Sequence, residues 1–138
     1  MLSMKHLGID YGTKRVGIAL SDDAGVMGFP HAILPNDPLL LQSILKLVRS
    51  EKVGAIVVGE SLNFKGEENP VAKEAQAFSR TLEEESGLTV FFEPEMLTTQ
   101  EARRDFEGIR TKGAVDSSAA ALILTSFLDK KKNHDQLR

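Results

Sequence analysis

Residues 7–20 read Leu-Gly-Ile-Asp-Tyr-Gly-Thr-Lys-Arg-Val-Gly-Ile-Ala-Leu, and no other stretch constrains the chain as much. Apolar Leu7 and Ile9 alternate up to a carboxylate, Asp10. A glycine-bearing turn follows at once, and Val16, Ile18 and Leu20 then alternate along a second run. Period-two alternation on both sides of a short polar turn predicts a β-hairpin whose first strand ends on an acidic side chain. Gly12 and Gly17 lack a Cβ, so the backbone there can turn sharply or approach a bound group closely. Lys14 and Arg15 set two cations beside the carboxylate. Such a grouping suits a metal that meets phosphate, or a phosphate cradle; its plainer reading is a surface hairpin with ordinary turn residues.

After the hairpin the chain reads as strands alternating with helices. Ser21–Gly25 is a turn by composition, and a weaker third strand falls within 26–34, held to an edge by Gly28 and Pro30. Asp37-Pro38 supplies an N-cap and a first-turn proline for a helix whose apolar face is Leu41, Ile44, Leu45 and Val48. Ala55–Gly59 is a continuous apolar run, as expected of a parallel strand covered on both faces. A polar loop over 60–69 leads to Asn69-Pro70 and a second helix with Val71, Ala75, Phe78 and Leu82 on its buried stripe, ended by Gly87. Residues 88–92 form another strand, closing on Glu93-Pro94-Glu95. Thr98 and Glu101 have capping-box spacing and predict a short helix. A basic, glycine-flanked loop spans Gly108–Gly113. Asp116-Ser117-Ser118 then caps a last helix with Ala119, Leu122, Ile123 and Phe127 toward the core, and 130–138 reads as a frayed tail.

The fold class that follows is α/β in one domain over 1–138: a mixed five-stranded sheet, an antiparallel three-strand meander plus parallel strands, with helices on both faces. Among 138 residues there is no cysteine, which excludes disulfides, thiolate metal sites and a cysteine nucleophile. No run nears the roughly 18 apolar residues of a membrane span, and no basic-then-apolar leader opens the chain. We therefore expect a cytoplasmic protein without a membrane partner. The net charge of −3 gives no global pull on a polyanion. Nucleic-acid contact would have to come from local cations: Lys14, Arg15, Arg103, Arg104, Arg110 and Lys112.

Sites in open α/β sheets lie at the carboxyl ends of the parallel strands. Asp10, Glu60 and the pair Glu93/Glu95 all fall at such ends, and Asp116 can return to the same edge. Carboxylates gathered there suit hard cations such as Mg²⁺ or Mn²⁺, which can activate water against a phosphodiester. Taken singly, each acid has a plainer role: Asp116 as a helix cap, Glu93 and Glu95 as solvated strand-end residues. His6, His31 and His134 show no metal-ligand spacing.

The combination resembles the YqgF/RuvX family, described as Holliday junction resolvases or pre-16S ribosomal RNA nucleases with a ribonuclease H-like fold. Gly8–Ala19 is similar to its opening motif. Ile56-Val57-Val58-Gly59 with Leu62-Asn63 and Gly66 is similar to its central strand and loop. Glu95 with Leu97-Thr98-Thr99 and Glu101-Ala102 resembles its acidic strand-end motif, and Asp116 with Ala119-Ala120 and Ile123-Leu124 its final helix. The resemblance implies catalytic, metal-holding residues Asp10, Glu95 and Asp116, favouring Glu95 over Glu93. Backbone phosphates would then fall to Lys14, Arg15, Arg103, Arg110 and Lys112. The chain departs from the family pattern at Glu60-Ser61, where Leu-Pro is usual, and at Pro94 and Met96, which flank Glu95 in place of an acid and an arginine.

The function so implied is metal-dependent cleavage of structured nucleic acid at the 5′ end of pre-16S rRNA, with Holliday-junction-type cleavage of branched DNA as the alternative, by a monomer or homodimer. Two other classes compete. A phosphate-binding lobe of the actin and sugar-kinase type opens with a similar Gly-Ile-Asp-x-Gly-Thr turn, but needs a second lobe for its nucleotide. A non-catalytic nucleic-acid or ribosome-assembly factor would keep the fold without turnover.

Overall fold

The computed structural model describes residues 4–60, 70–94 and 112–136, with side chains for 4–60, 71–94 and 119–131. The hairpin expected from residues 7–20 opens a five-stranded sheet. β1 (Lys5–Tyr11) pairs antiparallel with β2 (Arg15–Ser21), and β2 with β3 (Gly28–Pro35), completing the meander. Helix α1 (Leu40–Ser50) crosses to β4 (Val53–Glu60), parallel to β1. Helix α2 (Pro70–Ser86) crosses to β5 (Val90–Pro94), parallel to β4. The strand order is β3-β2-β1-β4-β5, and α3 (Lys112–Gln136) follows in the chain.

Alternation along the strands sorts their side chains between two cores. Leu7, Ile9, Val16, Ile18, Ile56 and Val58 face one way, against Leu40, Ile44 and Val48 of α1 and Leu82 of α2. Ala19 and Val57 face the other way, against Ala120, Ile123, Leu124 and Leu128 of α3. The α3 side is lined with small residues because the helix lies very close. A Cβ on Gly8 would sit 2.9 Å from Leu124 Cβ and 3.1 Å from the Ala120 carbonyl oxygen, and one on Gly28 2.9 Å from Leu124 Cβ. Leu124 is thus clasped between two glycines on different strands, and the Gly28 N–H donates to Thr125 Oγ1 at 3.0 Å.

Several element boundaries differ from the sequence expectation. Asp37 does not cap α1: its Oδ1 accepts from the Leu39 N–H at 2.9 Å, closing a turn two residues on, and the helix begins at Leu40. β4 runs through Gly54, where a Cβ would lie 2.8 Å from Met4 Sδ, so that residue serves close packing within the strand. β5 begins at Val90, two residues late. Gly87 ends α2 at φ +75° as expected.

The largest differences are in α3, which starts at Lys112. Asp116 therefore falls inside the helix and not at its start, and Gly113 is helical. Asp and Ser favour caps through local side-chain bonds, but no proline breaks 112–118 and the helix runs through them. At the other end, the segment from Lys130 continues as helix to Gln136. Leu122, expected in the core, is 38% exposed, and Leu124 fills that place. The short helix at Thr98 and the loop over 61–69 lie outside the described residues. Among the described residues, no helix is long and apolar enough to cross a membrane.

Candidate active site

The order of β1 determines where its acid goes. Leu7 and Ile9 occupy the α1/α2 core, so Gly8 and Asp10 belong to the α3 face. Asp10, partly buried, falls at the carboxyl end of the strand opposite Gly17 of β2. Ile9 pairs with Val58, and Gly59 pairs with Glu93. One step along both strands therefore puts Asp10, Gly59 and Glu93 in one row across the sheet, on the same face. Glu60 follows Gly59 and belongs to the opposite face.

The turn beyond Asp10 is held by the end of β3. A Cβ on Gly12 would meet the Arg15 carbonyl oxygen at 2.5 Å, so only glycine allows a turn this tight. Asn36 Nδ2 donates to the Gly12 carbonyl at 2.7 Å and the Asn36 N–H to the Lys14 carbonyl at 2.9 Å. Lys14 is exposed and Arg15 half-buried, so two cations are presented from a braced turn directly after the carboxylate.

Glu93 has a different task. It is buried, and its Oε2 accepts from the Ser126 hydroxyl at 2.8 Å and from Lys130 Nζ at 2.7 Å. A buried carboxylate needs such partners, and these tie β5 to α3. Glu93 is thereby committed to the fold. In the sequence only the i, i+4 spacing of Ser126 and Lys130 signals this role, and the charged run from Lys130 masks it.

α3 brings its amino-terminal half toward the same edge. Phe127 lies beside His6, with ring centroids 6.2 Å apart, whereas Ala120 and Leu124 lie against Gly8. The helix therefore advances along β1 toward Asp10 as it runs back in sequence. Asp116 is one turn before Ala120 and shares its helix face. Glu95, immediately after β5, lies outside the described residues, as do Arg103 and Arg110. Lys112 is the first residue of α3. Glu60 stands apart, on the α1/α2 side. Among the described residues, no three His, Cys, Asp or Glu side chains gather as a metal site. Asp10 offers oxygen donors on the α3 face with Glu93 committed beside it, so further ligands for a hard cation would have to come from beyond β5 and from α3.

The sheet is shared with solved resolvases. Thermus thermophilus RuvC in complex with Holliday junction substrate superposes with a TM-score of 0.63 at 15% identity, covering 94% of this chain and 96% of that one. The fowlpox virus Holliday junction resolvase does so at 0.57 and 13%, covering 92% and 99%. At such identities the likeness is one of fold. Sequence relatives are nearer. The protein named "Putative pre-16S rRNA nuclease" in Opitutus terrae is 40% identical over 135 residues, 93% of each chain. Its namesake in Oleidesulfovibrio alaskensis is 38% identical over 133 residues, 91% of this chain and 92% of its own. The family model described as "RuvX: Holliday junction resolvase" matches residues 4–130. With a match of that extent, the chain belongs to the RuvX family.

Proposed function

We propose that the protein is a metal-dependent nuclease that hydrolyses phosphodiester bonds of structured nucleic acid, with the 5′ end of pre-16S rRNA as its substrate. The observation that carries this reading is the position of Asp10: a carboxylate at the end of a central strand, followed directly by a braced turn bearing Lys14 and Arg15. An ordinary surface turn would need neither a glycine at position 12 nor the two hydrogen bonds from Asn36 that hold this one. The names of the relatives supply the substrate.

Asp10, Glu95 and Asp116 would hold Mg²⁺ or Mn²⁺. Bound there, such ions lower the pKa of water and offset charge at the scissile phosphate. Lys14 and Arg15 would grip the neighbouring phosphates and fix the strand's register without reading its sequence, joined by Arg103, Arg110 and Lys112. The commitment of Glu93 to Ser126 and Lys130 supports Glu95 as the acid supplied beyond β5. Such a protein would work in the cytoplasm, where ribosomal RNA matures. A second reading, cleavage of branched DNA, takes support from the family's description. Offering precursor 16S ends and four-way DNA junctions side by side separates the two.

A further inference from the structure

The other face of the carboxyl edge holds a recess of about 230 Å³ between α2 and the β4–β5 pair. Glu60, Gln76, Ser79, Arg80, Glu83 and Phe92 line it with Val90, and Gln76 is itself engaged. Its polar groups are unequal. Glu83 is engaged, its Oε2 accepting from the Val90 N–H at 3.1 Å. Ser79 is 2% exposed and its hydroxyl has no hydrogen-bond partner among the described residues, which is unusual for a buried polar group. Among the described residues, neither Glu60 nor Arg80 has a hydrogen bond or ion pair, although both face the same opening. Phe92 presents a 40% exposed ring at the rim.

We infer that this recess binds an unpaired guanine base of the strand being cut. The volume suits one base, and Phe92 offers a ring on which its face can stack, as is general for splayed single-stranded bases. The polar lining then chooses among bases. A carboxylate only accepts hydrogen bonds, and guanine alone presents two adjacent donors, N1–H and the N2 amine, to a single carboxylate such as Glu60. Guanine also presents O6 and N7, two acceptors that match the paired donors of an arginine such as Arg80. Adenine and cytosine give Glu60 one amine, and uracil one ring N–H.

The spacing fits a neighbouring nucleotide. Asp10 is beside Gly59, with strands about 4.8 Å apart, and Glu60 is one residue of about 3.8 Å further on. Glu60 is therefore about 6 Å from Asp10 by backbone, close to one nucleotide step, and on the opposite side of the sheet. A strand crossing the edge can leave its phosphate near Asp10 and turn the adjacent base into the recess. This inference rests on the reading of that edge as the cleaving end, and its test is a binding measurement that cleavage does not enter.

Full-length protein without metal is titrated with GMP, AMP and the pentanucleotides AAGAA and AAAAA, following the amide signals of Ser79, Arg80 and Phe92. The expected result is AAGAA binding about five- to hundred-fold tighter than AAAAA, the range one bidentate base contact gives. The perturbed signals should centre on those three residues. Glu60→Gln and Arg80→Gln, both at the open recess, should each erase the preference while circular dichroism stays native. Equal affinity for AAGAA and AAAAA, or a preference that survives both variants, overturns the assignment. GMP as tight as AAGAA overturns the strand-borne source. A protein that prefers AAGAA yet cleaves nothing overturns the nuclease reading alone.

Discussion

Gly8 and Leu124 meet so closely that a single added methyl on Gly8 would lie 2.9 Å from Leu124 Cβ. This contact seats α3 on β1, and so sets the distance between the strand that ends in Asp10 and the helix that carries Asp116. The Ala120 carbonyl, 3.1 Å from the same point, is backbone and cannot swing away. Gly8→Ala should therefore push the helix off the sheet, costing about 1–3 kcal/mol as overpacking does. Urea denaturation should show a lowered midpoint, with cleavage lost beyond what the unfolded fraction explains.

Glu93 and Glu95 should separate cleanly on substitution. Glu93 is buried between Ser126 and Lys130, so Lys130→Met leaves a carboxylate with one remaining partner and should cost about 1–3 kcal/mol. Glu93→Gln should keep cleavage per folded molecule. Glu95→Gln should keep the melting temperature and lose cleavage. The two variants compared by melting temperature and activity together check both statements.

Acid should weaken the fold in two steps with different owners. Burial, chiefly, holds the His6 imidazole below its usual pKa of 6.5; a nearby Lys131 adds to this, while the bond to the Met4 carbonyl opposes it. Nδ1 lies 3.1 Å from that carbonyl, so Nδ1 carries the proton and Nε2, buried without a partner among the described residues, stays bare. A histidine depressed in the folded state binds fewer protons than in the unfolded chain. Its contribution is thus fully present above pH 6.5 and is lost as pH falls from there through the folded value. Asp22, lowered mainly by the Val26 N–H that its carboxylate accepts, acts only below about pH 3.8. Stability measured from pH 7.5 to 5 should fall in the wild type and stay flatter in His6→Phe if that variant folds, whereas Asp22→Asn should leave this window unchanged.

Lys14 is predicted to meet a phosphate. Lys14→Gln should weaken RNA binding alike for all sequences and reduce the slope of log affinity against log salt by about 0.7–0.9, the change expected for one lost contact. Fluorescence anisotropy with catalytically silent Asp10→Asn protein over a range of salt measures that slope.

The parts of this molecule that announce themselves in the sequence are those governed by local rules. Alternation around Asp10, the apolar run of β4 and the glycine ending α2 gave strands and helices near their observed places, and from these the mixed sheet follows. What stayed hidden depends on partners distant in the chain. Nothing near Gly8 or Gly28 says that both clasp Leu124. Asp116 looks like a cap because Asp-Ser-Ser is a local capping signal, and nothing local marks Lys112 as the true start of α3. Glu93 reads as a solvated strand end until Ser126 and Lys130 arrive from 33 and 37 positions away. Arg103 and Arg110 rest on local charge clusters, and the choice of Glu95 over Glu93 on motif likeness.

The most direct test of the central claim is cleavage of precursor 16S RNA ends and four-way DNA junctions by wild type and Asp10→Asn, with Mg²⁺ or Mn²⁺ and again with chelator. The account predicts metal-dependent cutting of the RNA by the wild type, abolished by chelator, and none by a natively folded Asp10→Asn protein. Undiminished cleavage by that variant, or binding without cleavage by the wild type under every metal condition, would contradict it.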